Sequence, residues 1–181
     1  NLDRLKRFFP NTAICAFTAT ATKKVEADIA SSLNLQNPRH FRAKTVRDNL
    51  DIKVEPRISN GKTQILNFLK THKGLCGIIY TFTRKEAEST AEFLSESGYS
   101  AKAYHAGLSN DRKNEVFNDF VYEKIDIVVA TIAFGMGIDK SNIRFVIHTS
   151  LPKTLENYYQ EIGRAGRDGE MSYVYMLYSK S

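Results

Sequence analysis

Two arginines near the end of the chain have the residue type and spacing to bind phosphate groups. Arg164 and Arg167 lie three residues apart in the segment Tyr158–Gly169 (YYQEIGRAGRDG), and each follows a glycine. At that spacing both side chains can leave one face of a helix, and guanidinium groups match phosphate oxygens through paired hydrogen bonds. The pattern indicates two arginines directed at a polyphosphate. An exposed basic helix end is the alternative, because arginine favours the negative end of the helix dipole.

A second segment combines small residues with two polar side chains. Ala130–Lys140 (ATIAFGMGIDK) comes directly after the apolar run Ile125–Ala130, and ligands of open α/β sheets bind at the carboxyl ends of strands. Thr131 can donate to a phosphate, Asp139 can accept from a ribose hydroxyl, and glycines such as Gly137 allow close backbone approach. A loop with an ordinary turn is the alternative.

Hydroxyl, basic and imidazole side chains follow two other apolar runs. Thr83 and Arg84 stand where the run Cys76–Phe82 meets a helical pattern, and a helix start with these side chains suits a nucleic-acid phosphate. Thr83 also suits a plain N-cap. His105 has no nucleophile or paired carboxylate nearby in sequence, so packing or hydrogen bonding is the favoured role over general base catalysis.

The tetrapeptide Asn60–Thr63 (NGKT) has the ending of a phosphate-binding loop. A complete loop has a glycine five residues before Gly61, where this chain has Pro56. We interpret the tetrapeptide as a turn that caps the following helix. The sequence therefore predicts no self-sufficient ATP-binding loop.

The charge of the chain is unevenly distributed. The formal net charge is +6, but residues 1–50 hold nine Lys and Arg against four Asp and Glu, a net of +5. The remaining residues carry a net of only +1, so the total charge does not show that they bind nucleic acid.

Cys15 and Cys76 lie in strand-like runs and are predicted to be reduced and buried. The histidines are scattered, and no metal site is predicted.

The elements that must position these residues alternate between short β-rich runs and amphipathic helical stretches. This alternation predicts an α/β fold with a parallel sheet. The predicted strands are Thr12–Thr18, Lys53–Glu55, Cys76–Phe82, Ala101–Tyr104, Ile125–Ala130, Arg144–His148 and Tyr173–Leu177. The predicted helices are Lys23–Leu33, Lys62–Thr71, Lys85–Ser97, Asp111–Val121 and Thr154–Ile162.

Several segments, taken in their order, resemble the motifs of RecQ-type ATP-dependent DNA helicases. They are Phe17–Ala21 (FTATA, third helicase motif), Gly77–Arg84 (GIIYTFTR, fourth), Ala103–Leu108 (AYHAGL, a RecQ-typical stretch), Val128–Lys140 (VVATIAFGMGIDK, fifth) and Tyr158–Gly169 (sixth). The resemblance covers nearly the whole chain. It departs from the family at Thr81, where cysteine is frequent, and at Thr83, where serine is frequent.

The resemblance implies a RecA-like (P-loop NTPase-like) fold, with a parallel sheet covered by helices on both faces. Residues 46–181 would be the second RecA-like lobe, the helicase C-terminal lobe. Apolar periodicity fades at a polar break around Arg42–Leu50, and the part before this break either joins the sheet that follows or is the tail of a preceding domain. The resemblance implies the second alternative, in which residues 1–45 would be a remnant of the first lobe with its TAT motif. The phosphate loop and carboxylate pair of a first lobe, which hold ATP and Mg²⁺, are not in this sequence. We therefore expect the chain to be inactive alone.

The resemblance also implies roles for individual residues. Arg167 would be the arginine finger, Arg164 its partner at the phosphates, and Gln160 the link between ATP state and DNA. Asp139 and Gly137 would contact the nucleotide. The residues implied at the single-stranded DNA backbone are Thr83, Arg84, Thr131 and His105.

The implied partners are single-stranded and unwinding duplex DNA, translocated 3′ to 5′ in repair and recombination, and the missing first lobe. The unpaired apolar edge of Thr12–Thr18 is a further candidate for association. No membrane-length apolar run or signal peptide is visible, so the sequence predicts a cytoplasmic protein at the bacterial nucleoid, or a nuclear one in a eukaryote. Two alternatives stay open: a non-catalytic docking module on the same fold, and a lobe of a related RNA helicase.

Overall fold

The computed structural model describes residues 4–18, 21–42, 47–131, 134 and 138–179. The chain divides into two compact units, Asn1–Val46 and Arg47–Ser181. The assignment of the first unit to a preceding lobe stays a prediction.

The first unit contains two helices, α1 (Leu5–Phe8) and α2 (Lys23–Ser32). The predicted strand Thr12–Thr18 is wrong, because residues 13–18 form no regular secondary structure. A β-rich run forms a strand only when a neighbouring backbone takes up its N–H and C=O groups, and the described part of this unit contains no second strand. Cys15 is consequently exposed and not buried as predicted.

The second unit contains a six-stranded sheet in the order β1-β6-β5-β2-β4-β3, and every neighbouring pair is parallel. The strands are β1 (Leu50–Pro56), β2 (Gly77–Tyr80), β3 (Ala101–Tyr104), β4 (Ile127–Ala130), β5 (Phe145–His148) and β6 (Ser172–Tyr178). The helices are α3 (Lys62–Thr71), α4 (Arg84–Glu96), α5 (Asn110–Val121) and α6 (Leu155–Ile162). This architecture confirms the predicted fold class.

Alternate residues of the central strands face two separate apolar cores. Ile78 and Val128 pack with α5 and α6 on one face, whereas Ile79 and Val129 pack with α3 and α4 on the other. Burying one such side chain fully contributes about 1.5–3 kcal/mol. Because β2, β4 and β5 are buried on both faces, their sequences are nearly continuous apolar runs.

The start of α3 confirms the interpretation of the tetrapeptide Asn60–Thr63 as a capping turn. Gly61 has a φ of +75°, and the Oδ1 atom of Asn60 accepts a hydrogen bond of 3.1 Å from the Lys62 amide. The Lys62 ammonium donates to the Ser89 carbonyl at 2.6 Å. The lysine is therefore engaged by α4.

Cys76 is half-buried, where burial was predicted, because it precedes β2 and does not lie within it. Its thiol donates to the Asn142 carbonyl at 3.1 Å, and burial raises the pKa of this thiol.

Across the described ranges, no helix has the length and apolar character needed to cross a bilayer.

Two neighbouring strands in the middle of the sheet send their helices to opposite faces. The chain leaves β2 towards α4 on one face, and it leaves β5 towards α6 on the other. Such a switch opens a crevice at the carboxyl ends of the strands, where ligands of α/β sheets bind. Thr83, Arg84, His105 and Thr131 follow strands at this carboxyl edge. Arg164 and Arg167 lie instead on the turn between α6 and β6, where the Gly166 amide donates to the Ile143 carbonyl just before β5.

Candidate functional site

Arg167 and Asp139, predicted from separate motifs, meet in the structure. The Nη1 atom of Arg167 donates to the Ile138 carbonyl at 2.9 Å and lies 3.3 Å from the Oδ1 atom of Asp139. The Arg167 side chain is 37% exposed and that of Asp139 is 97% exposed. A permanently charged donor and a carboxylate acceptor therefore stand side by side at the surface.

Arg164 lies in a different environment from Arg167. The helix α6 ends at Ile162, so the two arginines do not share a helical face, and the prediction that they do is wrong. Arg164 is only 7% exposed, and its guanidinium lies beside the hydroxyl of Tyr80. Burial raises the pKa of Tyr80, and the neighbouring Arg164 opposes that rise.

The turn that carries Arg167 is held by two residues that precede β1. Arg47 donates from Nη1 to the Ala165 carbonyl at 2.9 Å, and from Nη2 to the Gly166 carbonyl. The side-chain amide of Asn49 donates to the Gly166 carbonyl at 2.9 Å and to the Glu170 carbonyl at 2.8 Å. Sequence reasoning missed both residues, because their polar segment has the composition of a break between domains. What would have revealed them is the pairing of β1 with β6, which brings Asn49, the residue before β1, next to the turn before β6.

A second contact fixes the far side of this turn. The Arg144 guanidinium forms an ion pair with Asp168, and the Asp168 carboxylate accepts from the Glu170 amide at 3.1 Å. The hydrogen bond from Arg144 is the main cause that lowers the pKa of Asp168. Asp168 is therefore ionised at neutral pH, next to the exposed Arg167.

Asp139 is presented by two buried neighbours. Ile138 is buried in the core, and Lys140 is buried with its Nζ atom 2.9 Å from Glu123 and 5.6 Å from the ring centroid of Phe120. With both flanking side chains anchored, the carboxylate of Asp139 is directed outwards. The predicted nucleotide contact at Gly137 lies outside the described residues.

The start of α4 carries the predicted backbone contacts Thr83 and Arg84. The Thr83 hydroxyl accepts from the Glu86 amide at 3.1 Å, which confirms its predicted role as an N-cap. Arg84 is exposed and lies over Gly107. A Cβ atom at Gly107 would lie 3.0 Å from the Nη1 atom of Arg84 and 3.2 Å from the Nδ1 atom of His105. The arginine and the imidazole therefore converge on one glycine.

His105 and Thr131 occupy matching positions after two paired strands, because Tyr104 of β3 pairs with Ala130 of β4. His105 is buried, and its Nε2 atom lies 3.0 Å from the carboxylate of Glu88. This contact confirms the predicted packing and hydrogen-bonding role. Thr131 is half-buried, and Gln160 is exposed on the last turn of α6.

An open cleft of about 560 Å³ lies between the starts of α3 and α4, with Arg57, Lys62 and Lys85 among its lining residues. Arg57 donates to the Thr149 carbonyl at 2.9 Å and lies 3.5 Å from Glu86. Two of these cations are thus engaged by the protein itself, and the geometry assigns the cleft no ligand.

Comparison with known families defines the class of the chain. Residues 61–169, more than half of its length, match the model of the helicase conserved C-terminal domain. The matched range contains most of the residues described above, from the start of α3 to the arginine turn. The chain belongs to this helicase C-terminal domain family.

Similar sequences are found among RecQ-type DNA helicases. The chain is 46% identical to the RecQ-like DNA helicase blm-1 of Caenorhabditis elegans over 94% of the chain and 17% of the relative. It is 45% identical to the ATP-dependent DNA helicase RecQ of Pasteurella multocida over 92% of the chain and 26% of the relative. These matches confirm the RecQ-type resemblance of the motifs. A putative ATP-dependent RNA helicase of Acanthamoeba polyphaga mimivirus is also 45% identical, over 96% of the chain and 32% of the relative.

The chain thus spans about a sixth to a third of the length of these relatives. Among solved structures, the C-terminal domain of the DEAD-box protein Dbp5 is similar, with a TM-score of 0.63 at 20% identity. The match covers 75% of this chain and 79% of that domain. At this identity the likeness shows the fold alone, which is a RecA-like lobe.

Proposed function

We propose that the chain is the second motor lobe of a RecQ-type ATP-dependent 3′–5′ DNA helicase. The observation that carries the proposal is the meeting of Arg167 and Asp139, which lie 28 residues apart in sequence and form one exposed donor–acceptor pair. This pairing suits a nucleotide that presents a phosphate chain and a ribose. It also favours a motor over a docking module, which needs no such pair.

In this mechanism Arg167 acts across the cleft between two lobes. ATP binds to the phosphate loop of the other lobe, and closure brings the Arg167 guanidinium to the transferring phosphoryl group. Its fixed positive charge then stabilises the charge that develops in the transition state. Asp139 accepts from a ribose hydroxyl and sets the orientation of the nucleotide. Arg164, buried beside Tyr80, supports the turn from inside the lobe and would reach the phosphates only after a rearrangement.

The metal ion belongs to the other lobe in this proposal. Within the described residues, no group of three His, Cys, Asp or Glu side chains could hold a metal. Mg²⁺ neutralises phosphate charge when it is bound. This lobe would contribute two side chains to the nucleotide site: the cationic Arg167, and Asp139, which orients a ribose hydroxyl.

The carboxyl edge of the sheet would hold the single-stranded DNA backbone. Thr83, Arg84 and Thr131 follow β2 and β4, and such contacts to phosphates are independent of base sequence. His105 supports this edge from beneath, since its ring is buried next to Arg84. The exposed Gln160 would link the nucleotide state to the DNA, and closure and opening of the lobes would move the strand.

The decisive experiment is Arg167→Ala in the intact parent protein. An arginine finger contributes roughly 10³–10⁵-fold to turnover in phosphoryl-transfer enzymes, so ATP hydrolysis should fall to background. Arg167→Lys should fail as well, because an ammonium group does not reproduce the planar fork. Steady-state ATP turnover with saturating single-stranded DNA is the measurement.

Arg112→Ala is the matched control, because Arg112 is an exposed arginine on α5 that pairs with Glu115. It should retain the turnover of the wild type. Near-normal turnover of Arg167→Ala, with the control also active, would remove the finger role.

A lobe of an RNA helicase is the second candidate, favoured by the similarity to the mimiviral putative RNA helicase. Comparing the stimulation of ATP turnover by DNA and by RNA in the intact protein decides between the two.

Three further partners and locations stay proposals. The other RecA-like lobe is the required partner for turnover. The first unit exposes the aromatic side chains of Phe8, Phe9, Phe17 and Phe41, which supports association through that unit even though it lacks the predicted strand. A DNA substrate places the protein at the nucleoid or in the nucleus.

A further inference from the structure

A cluster of buried polar and aromatic side chains lies beneath the carboxyl edge of the sheet. Tyr80 ends β2, His148 ends β5, and Glu161 and Arg164 lie at the end of α6 and just after it. All four are buried, with 2–7% of their surface exposed. Ionisable groups are rarely this deeply buried unless they are paired, so the arrangement calls for a reason beyond packing.

The Tyr80 hydroxyl is the centre of this cluster. It donates to the carbonyl of Phe134 at 3.0 Å in a buried hydrogen bond, and the Arg164 guanidinium lies next to the same oxygen. The phenol ring stacks on the imidazole of His148, with ring centroids 5.3 Å apart and an interplanar angle of 24°. The Nε2 atom of His148 lies 2.7 Å from the carboxylate of Glu161. The hydroxyl thus joins two other segments, and the ring is held in a fixed orientation.

The segments that meet at this hydroxyl lead to different ligands of the proposed function. Tyr80 lies three residues before Thr83, at the DNA edge. Phe134 lies between Thr131, at the same edge, and Asp139, at the nucleotide. Arg164 lies three residues before Arg167. A displacement at the DNA edge would therefore reach, through the Tyr80 hydroxyl, the two segments that lead to Asp139 and Arg167.

Buried hydrogen bonds of this kind transmit displacement because they have no solvent substitute. If the hydroxyl moves away, the Phe134 carbonyl and the Arg164 guanidinium each lose a partner in a site that water does not reach. The hydroxyl and its two partners are therefore expected to move together. A cluster built only for stability would be served as well by an apolar side chain.

We propose that Tyr80 is a positioning residue whose hydroxyl couples occupancy of the DNA edge to the turn that carries Arg167. The inference rests on the proposed function and assigns the regulation of the same site. Its consequence is that the hydroxyl is needed for DNA to stimulate ATP turnover, and is not needed for turnover without DNA.

Tyr80→Phe in the intact parent protein tests the coupling, since it removes one oxygen and keeps the ring stacked on His148. We expect the stimulation of ATP turnover by single-stranded DNA to fall by about tenfold or more, a usual size for coupling between sites. Turnover without DNA, and DNA affinity measured by fluorescence anisotropy, should stay at the wild-type values.

Tyr104→Phe is the matched control. The ring of Tyr104 also contacts Phe134, with centroids 4.5 Å apart, but its hydroxyl takes no part in this cluster. The control should keep the full stimulation by DNA. Loss of stimulation in both variants would point to packing around Phe134 and would overturn the proposal.

Two outcomes for Tyr80→Phe separate this inference from the proposed function. Undiminished stimulation, or an equal fall of turnover with and without DNA, would overturn the coupling role and leave the helicase proposal intact. A wild-type parent that shows no turnover stimulated by DNA would overturn both.

Glu161→Gln keeps the test decisive if Tyr80→Phe fails to fold, as judged by its melting temperature. The amide can still form a hydrogen bond with the imidazole of His148, but the carboxylate that fixes this ring against Tyr80 is lost. A selective fall in the stimulation by DNA is again the expected result. Unchanged stimulation in this variant would overturn the proposal.

Discussion

At the scale of single residues, the two arginines of one short motif have opposite surroundings. Arg167 is exposed beside Asp139, whereas Arg164 is buried beside Tyr80. Only two residues separate them, and the difference arises from the turn, which reverses the chain at Gly166 with a φ of +59°. The exposed arginine is placed to meet a ligand from outside, and the buried one is placed to hold the turn to the lobe.

Arg47 has a measurable role in keeping that turn in place. Its guanidinium supplies hydrogen bonds to the Ala165 and Gly166 carbonyls. Arg47→Ala should lower ATP turnover in the intact protein by roughly 10²-fold, the cost of misplacing a catalytic group by about 1 Å. DNA affinity should not change. In the isolated chain, urea unfolding should show a loss of about 2 kcal/mol, as for a hydrogen bond to a charged group.

The control for Arg47→Ala is again Arg112→Ala, which removes an exposed guanidinium without touching the turn. It should leave turnover unchanged and stability nearly so, since exposed ion pairs contribute little. Full ATP turnover in Arg47→Ala would show that the turn keeps its position without the hydrogen bonds from Arg47.

At the scale of elements, the sequence predicts regular structure well where one residue pattern decides it. The helix Lys62–Thr71 has the predicted bounds, because its apolar spacing and its capping turn agree. The strands β2, β4 and β5 were predicted correctly, because a strand that is buried on both faces needs a nearly continuous apolar run. Thr12–Thr18 was predicted wrongly, because β-propensity carries no information about whether a partner strand exists.

The sequence predicted the exposed residues of the candidate site, but not the residues whose hydrogen bonds hold them in position. Arg167, Asp139 and Thr83 are recognisable from residue type and motif position. The hydrogen bonds from Arg47 and Asn49 depend on which strands become neighbours, and spacing along the chain does not reveal that. Contacts between distant segments are set by the sheet order.

The turn before β6 offers an element-scale prediction at Gly166. A Cβ atom there would lie 2.5 Å from the side-chain amide of Asn49 and 2.7 Å from the Ser172 hydroxyl, and the φ of +59° strains any other residue. Gly166→Ala should destabilise the isolated chain by clearly more than about 1 kcal/mol, the usual cost of positive φ alone. Urea unfolding followed by circular dichroism measures the loss.

Gly169→Ala is the matched control, because Gly169 has a φ of +89° but no atom within 4 Å of its Cβ position. It carries the backbone strain without the collision. Equal losses of stability in the two variants would mean that the Asn49 side chain moves aside at no cost, and that its hydrogen bonds do not determine the conformation of the turn.

At the scale of the whole molecule, the proposed function gives this chain a finger, Arg167, and a ribose acceptor, Asp139. No phosphate cradle accompanies them among the described residues. The glycine-lysine turn at Asn60–Thr63 caps α3, and its lysine binds the Ser89 carbonyl. A finger lowers the barrier only when a second surface holds the phosphates in line. In the proposed function, the chain therefore supplies one half of a nucleotide site.

The last prediction follows from this half-site. The chain alone, with Mg²⁺ and saturating single-stranded DNA, should show no ATP turnover above background. Adding the other RecA-like lobe in trans should restore measurable turnover that depends on Arg167, because the two halves then complete one site. Turnover by the chain alone would matter only if Arg167→Ala abolished it, since that control excludes a contaminating ATPase. In that case the lobe would bind the phosphates through groups other than the Asn60–Thr63 turn, and the half-site interpretation would be wrong.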